Sequence, residues 1–142
     1  MLKRIKYVSR MARPLSEAEI EDLSFGASAK NEALGITGVL ATADGMFLQV
    51  LEGPPAEVDR IYRRIVADER HSQVLLLNEQ FVEDRLFPAW FMRYVDLNAD
   101  DDGERWEPLR AMLESIVQQR IHIERMSDVL ERALWRELHV TQ

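Results

Sequence analysis

The sequence contains no cysteine. Disulfides, thiol nucleophiles and thiolate metal sites are thereby excluded, and the composition suits a reducing compartment. Three histidines, His71, His122 and His139, have no two at ligand spacing on one helix, so no metal site is expected. Basic charge is also short. Against 25 Asp and Glu stand only 18 Lys and Arg, a net charge of -7, which is the wrong sign for a chain whose main partner is nucleic acid or an anionic membrane. No apolar run reaches the roughly 18 residues of a membrane span, and the start of the chain passes into a strand pattern instead of a signal-peptide core. The expected setting is cytoplasmic. No G-x-S-x-G elbow exists, so Ser9 and His71 lack the frame of a hydrolase triad. With no acid, base or nucleophile set apart for a substrate, the chain reads as a non-enzyme, and any redox chemistry needs a cofactor.

What is present suffices for one folded domain with a helical appendage: 142 residues, 46% hydrophobic and 30% charged. Leu2 to Ser9 alternates as a strand, with Ile5, Tyr7 and Ser9 on one face. Ser16 with Glu19 forms a capping box, opening a helix whose Ile20, Leu23, Ala27, Asn31 and Leu34 keep helical spacing up to Gly35. Ile36 to Thr42 and Met46 to Glu52 are strands joined at Asp44-Gly45, a strong hairpin signal. After Gly53-Pro54-Pro55, residues Val58, Ile61, Tyr62, Ile65 and Val66 mark a second amphipathic helix ending near Asp68. Val74 to Leu77 reads as a fourth strand and Trp90 to Val95 as a fifth. This order predicts an α+β, ferredoxin-like βαββαβ sheet with a fifth strand, two helices on one face, and C-terminal helices. Leu97 to Gly103 is a polar, acidic break, dividing a domain over 1–97 from a linker and helical extension over 98–142. The apolar positions from Trp106 to Leu138 fit two helices with a break near His122 to Ser127.

Gln49 stands out as an uncharged amide inside an otherwise apolar strand. Left unpaired and buried, it would cost about 1 to 3 kcal/mol, so a partner is expected. The topology places the first and third strands side by side, which makes Tyr7 a neighbour, and an amide can accept at one end while donating at the other. Asn31 reaches the same region from the first helix. Arg60, Arg63, Arg64, Arg70 and His71 gather at and beyond the end of the second helix, either as a solvated face complementing the helix dipole or as a clamp for phosphate. Glu52, at a strand end, reads as a local cap or ion-pair partner.

Taken together, Tyr7-Val8-Ser9, Asn31, Gly35 to Leu40, Gly45 to Gly53, Asp68 to His71 and Phe87 to Met92 resemble the BLUF family, domains that sense blue light using flavin. The resemblance covers about residues 2 to 96. It implies FAD between the two helices, with FMN or riboflavin able to take the same ring site. Tyr7 then corresponds to the electron and proton donor, Gln49 to the amide bridging phenol and flavin, and Asn31 to the side chain that anchors the ring. Arg64, Ile65, Asp68, Arg70 and His71 fall at positions near the ring or tail. Trp90 and Met92 match a fifth-strand pair that responds to Gln49. Glu32 and Ala27 depart from the common pattern, where a second amide and a small hydroxyl residue are frequent. The implied activity is a photoreceptor: light drives transfer from Tyr7, Gln49 rearranges, and the fifth strand and C-terminal helices carry the change to a separate effector protein or through a homo-oligomer. The alternative is a ferredoxin-like ligand-binding or assembly module without photochemistry, which gives no reason for Tyr7, Gln49 and Asn31 together.

Overall fold

A computed structural model describes residues 1–98 and 103–140. The chain separates into two compact units, Met1–Gly103 and Glu104–Gln142. In the first, β1 (Leu2–Met11), α1 (Glu17–Leu34), β2 (Thr37–Ala43), β3 (Met46–Gly53), α2 (Pro55–Ala67), β4 (His71–Val82) and β5 (Arg93–Asp96) follow one another. The second unit contains α3 (Gly103–Val140). The five-stranded sheet runs β4-β1-β3-β2-β5, antiparallel except for the parallel β2–β5 pair at its edge. The expected ferredoxin-like architecture is found.

Local chemistry explains the main boundaries. Ser16 accepts the Glu19 amide while the Glu19 carboxylate reaches back to the Ser16 N–H, so α1 begins with both halves of the capping box. It stops at Gly35, whose φ of 70° is left-handed and brings its N–H back onto Asn31 and Glu32. Asp44 and Gly45, at φ 49° and 78°, make the two-residue turn between β2 and β3 with the twist that hairpins favour. At Gly38 a Cβ would run into the Val50 carbonyl, so the β2–β3 pair closes only around glycine. The hydrophobic core gathers Ile5, Ile36, Leu51 and Val58, with Ile61, Ile65, Leu76 and Met92 packed against it. Both helices meet this same sheet face.

Three expectations need correction. The fourth strand is longer than Val74 to Leu77: it runs from His71 to Val82 and pairs with β1 from Met11↔His71 to Leu2↔Val82 across two register irregularities. The fifth strand is shorter: it begins at Arg93, so Trp90 and Met92 precede it. Their segment is held by a bond from the Gly38 N–H to the Trp90 carbonyl, 3.0 Å, before parallel pairing with β2 starts at Val39↔Arg93. The C-terminal segment is one 38-residue helix, not two. No residue between His122 and Ser127 breaks a helix, and an Arg120–Glu124 ion pair at i,i+4 runs through that stretch. Pro108 lies near the start of α3, where a missing N–H removes little of the ladder. Most of the expected acidic break, 99–102, falls outside the described residues.

Candidate functional site

Strand register creates the centre of the site. Tyr7 and Gln49 are direct cross-strand partners of β1 and β3, and Leu40 of β2 lies opposite Gln49 on its other side. Tyr7 is fully buried and Gln49 nearly so. The Tyr7 hydroxyl donates to Gln49 Oε1, and Gln49 Nε2 donates to Met92 Sδ at 3.5 Å. Burial pushes the Tyr7 phenol far above its ordinary pKa, with lesser contributions from Tyr62 and Asp68, so it remains protonated. The chain Tyr7–Gln49–Met92 thus runs from a good donor through an amide to a thioether, which accepts weakly and donates nothing.

Above this chain lies a cleft of about 210 Å³ between α1 and α2. Its α1 wall follows two helical rows, Asp22–Gly26–Lys30 and Leu23–Ala27–Asn31, and α2 contributes Ile61, Arg64 and Ile65. Gln49, Leu40, Leu51 and Met92 form the sheet side, while Asp68, Arg70 and His71 close the far end. The small Gly26 and Ala27 keep one wall thin, and Ile61 and Ile65 make the other apolar. Such a lining suits a flat aromatic ring with amides at its edge. Asn31 donates its Nδ2 to the Phe91 carbonyl at 2.7 Å, and its Oδ1 accepts no hydrogen bond among the described residues. The exposed side chains of Lys30 and Arg64 stand on opposite helices, and neither forms an ion pair among the described residues. The donor set therefore fits a flavin with an anionic tail.

The basic cluster read from the sequence is only partly assembled here. Arg60 pairs with Glu57 at 3.5 Å, and Arg63 does not line the cleft. Arg70 folds onto Asp68, with contacts from 2.5 to 3.1 Å; this guanidinium holds the Asp68 carboxyl down at about 2. His71 shares a 2.8 Å hydrogen bond with buried Ser9 and packs against the Phe47 ring. Burial lowers its pKa, Asp68 opposing and Arg70 assisting, which favours the neutral ring. Ser9 sits mid-strand and does not line the cleft, whereas His71 does. Trp90 is partly exposed, stacked near Phe87 and covered by Arg93; it does not line the cleft.

Two features escaped the sequence reading. Asp22, Gly26 and Lys30 belong to the cleft; they form the helical row one residue before Leu23, Ala27 and Asn31, and extending the stripe at Asn31 to that adjacent row would have found them. Glu52 is not a local cap. Its completely buried carboxylate accepts Arg4 Nε at 2.6 Å and the N–H groups of Leu86 and Phe87 at 2.7 and 2.9 Å, partners that lie 34 to 48 residues away. Burial alone would raise its pKa, but the Phe87 and Leu86 amides and Arg4 outweigh it and hold the group low.

Comparison with known proteins gives a consistent picture. The family model for sensors of blue light using FAD matches residues 2–93. The photoactivated adenylate cyclase subunit beta of Euglena longa is 33% identical over 88 residues, 62% of this chain and 10% of that protein. The chain thus spans about a tenth of the curated relatives' length. A bacterial light-regulated adenylyl cyclase superposes with a TM-score of 0.80 at 34% identity, over 88% of this chain and 36% of the other. The dark-state structure of BlrB, a BLUF protein, gives 0.66 at 33% identity, over 78% of this chain and 89% of BlrB.

Proposed function

The chain belongs to the BLUF family of blue-light sensors, and from that premise we propose that it holds FAD in the α1–α2 cleft and signals through Tyr7, Gln49 and Met92. Asn31 and Gln49 would meet the polar edge of the ring, Ile65 its face, and Lys30 with Arg64 the phosphates, while Asp68, Arg70 and His71 close the site. When bound, the flavin supplies absorption of blue light and an electron acceptor. Tyr7 is the donor on the protein side, its phenolic proton committed to Gln49 Oε1. The observation that carries this reading is the unequal pairing of Gln49, strong toward the phenol and weak toward sulfur.

A half-turn of that amide presents Nε2 to the Tyr7 oxygen and Oε1 to Met92. Sulfur cannot donate, so the tie to Met92 is lost. One neutral hydrogen bond exchanged at about 1 kcal/mol shifts a balanced equilibrium several-fold, enough to bias the 90–92 segment and β5 without driving either wholly to one state. An illuminated absorption spectrum tests the reading. The protein should be yellow and show a small, reversible red shift, and Gln49→Leu should abolish it; a shift that survives in that variant would refute the role of Gln49. Removing Lys30 and Arg64 together should weaken FAD while sparing riboflavin, which has no phosphate.

Residues 1–97 are then the sensor and 98–142 the output. In α3, Leu109, Ile116, Ile123 and Leu130 recur every seven residues, with Met112, Met126 and Ala133 three positions after. With Gln119 as the polar exception after Ile116, this spacing fits the seam of a coiled coil. Ile123, Met126 and Leu130 are exposed, and a second copy of the chain would cover them, giving a homo-oligomer that meets a separate effector protein. Light scattering should show a dimer that Ile123→Asp with Leu130→Asp converts to monomer.

A further inference from the structure

The segment from Arg85 to Met92 is attached to the sheet at both ends, and the two attachments differ in kind. At its start, Leu86 and Phe87 direct consecutive backbone N–H groups at the Glu52 carboxylate, which Arg4 also holds at 2.6 Å. Arg85 turns the other way and donates to Thr37 Oγ1 at 2.9 Å, the Glu52 carbonyl at 3.0 Å and the Gly35 carbonyl at 2.7 Å. Every one of these bonds involves an ionised group, and such bonds are about twice as strong as neutral ones. At its end, the segment's hydrogen bonds are all neutral, Gly38 N–H to Trp90, Asn31 to Phe91, and the long bond from Gln49 to Met92, and the one charged contact is the Arg93 guanidinium over the Trp90 ring. Glu52 lies three residues beyond Gln49 on β3, so one rigid strand carries the strong tie and the weak one.

We propose that Glu52 and Arg85 are positioning residues that fix the start of this segment to the sheet, so that a change at Gln49 displaces only the Trp90–Met92 end. The anchor explains how a single weak contact can have a directed effect. A strap free at both ends would dissipate the loss of Met92 by shifting as a whole; one fixed at Leu86 and Phe87 must yield at the other end, next to β5. This inference rests on Gln49 and Met92 as the signalling pair, and its two halves can be tested apart.

Amide hydrogen exchange followed by NMR on the full chain, flavin-free and flavin-loaded, compares wild type with Glu52→Gln and Arg85→Lys. The glutamine loses the charge and offers an NH2 to amides that need an acceptor, while the lysine keeps the charge but has a single nitrogen in place of the two, Nη1 and Nη2, that reach the three acceptors. Exchange at Leu86 and Phe87 should rise at least tenfold in Glu52→Gln even without flavin, with β1 and β3 amides unchanged. In loaded protein the red shift should persist, while the light-minus-dark difference, which in wild type begins at residue 90 and runs into β5, spreads back to residue 85. Exchange within twofold of wild type at Leu86 and Phe87, or a light response of unchanged extent, would overturn the anchor. If Glu52→Gln does not fold, Arg85→Lys supplies the same two readouts. If wild type shows no red shift, the reading of Gln49 fails by itself and the flavin-free exchange alone decides whether the anchor stands.

Discussion

Gln49 and Glu52 both interrupt the apolar run of β3, are both buried, and point to opposite faces of the sheet, yet their surroundings differ. Glu52 is saturated: an arginine and two backbone amides meet its oxygens, and the distances are short. Gln49 has one good partner and one poor one. A buried charge tolerates no alternative arrangement, because losing any partner exposes it to the full desolvation cost. A neutral amide with a thioether at one end has a second orientation within reach. On the function proposed above, the same strand holds a fixed polar group and a switchable one, and the difference lies in charge and in the number of partners.

The largest perturbation of this contrast is Glu52→Ala. It strands Arg4 and two amides, so we expect a loss of about 3 to 5 kcal/mol in urea unfolding, as for a buried ion pair with one partner removed. Gln49→Leu should cost less, about 1 to 2 kcal/mol, since only the Tyr7 hydroxyl is left without its acceptor; the light-induced shift nonetheless disappears. An outcome in which Gln49→Leu destabilises more than Glu52→Ala would reverse the assignment of fixed and switchable groups. Met92→Leu conserves volume and should cost under about 1.5 kcal/mol, keeping the red shift but slowing or speeding its decay in the dark.

The smallest effect is a pH dependence that tells the two sheet faces apart. His71 has its pKa depressed in the folded protein by burial, so its contribution is complete above the unfolded value of 6.5 and declines as pH falls toward the folded value. Glu52 is also depressed; its contribution persists down to the unfolded value of 4.5 and is lost only as pH falls through the lower folded one. Stability should therefore fall in two steps on acidification, the upper absent in His71→Gln. A single step near pH 4 in both proteins would show that His71 does not titrate on unfolding.

Much of this was legible from residues alone. The capping box at Ser16 and the turn at Asp44-Gly45 are local codes, and both formed as read. The pairing of Tyr7 with Gln49 followed from topology once the strands were placed. What sequence did not reveal depends on distant partners. Trp90 and Met92 carry strand-like side chains, but Gly38 and Asn31 hold that stretch through isolated bonds, and no periodicity encodes them. Glu52 looked like a local cap because its partners lie far along the chain. Arg85 gave no signal at all, since its acceptors are two backbone carbonyls and a threonine hydroxyl. The single α3 was misjudged because polar residues around His122 resemble a loop, although none of them forbids a helix.

The direct opposition of Tyr7 and Gln49 across β1 and β3 has one more consequence. Side chains alternate along a strand, so slipping the pairing by a single residue would turn one of the two to the wrong face. A misregistered molecule could keep most of its secondary structure and still lose its phenol–amide bond. Colour change under light would then serve as a proofreading signal for assembly: in a purified or evolved preparation, the fraction of molecules that respond reports the fraction whose central strands met in the right register.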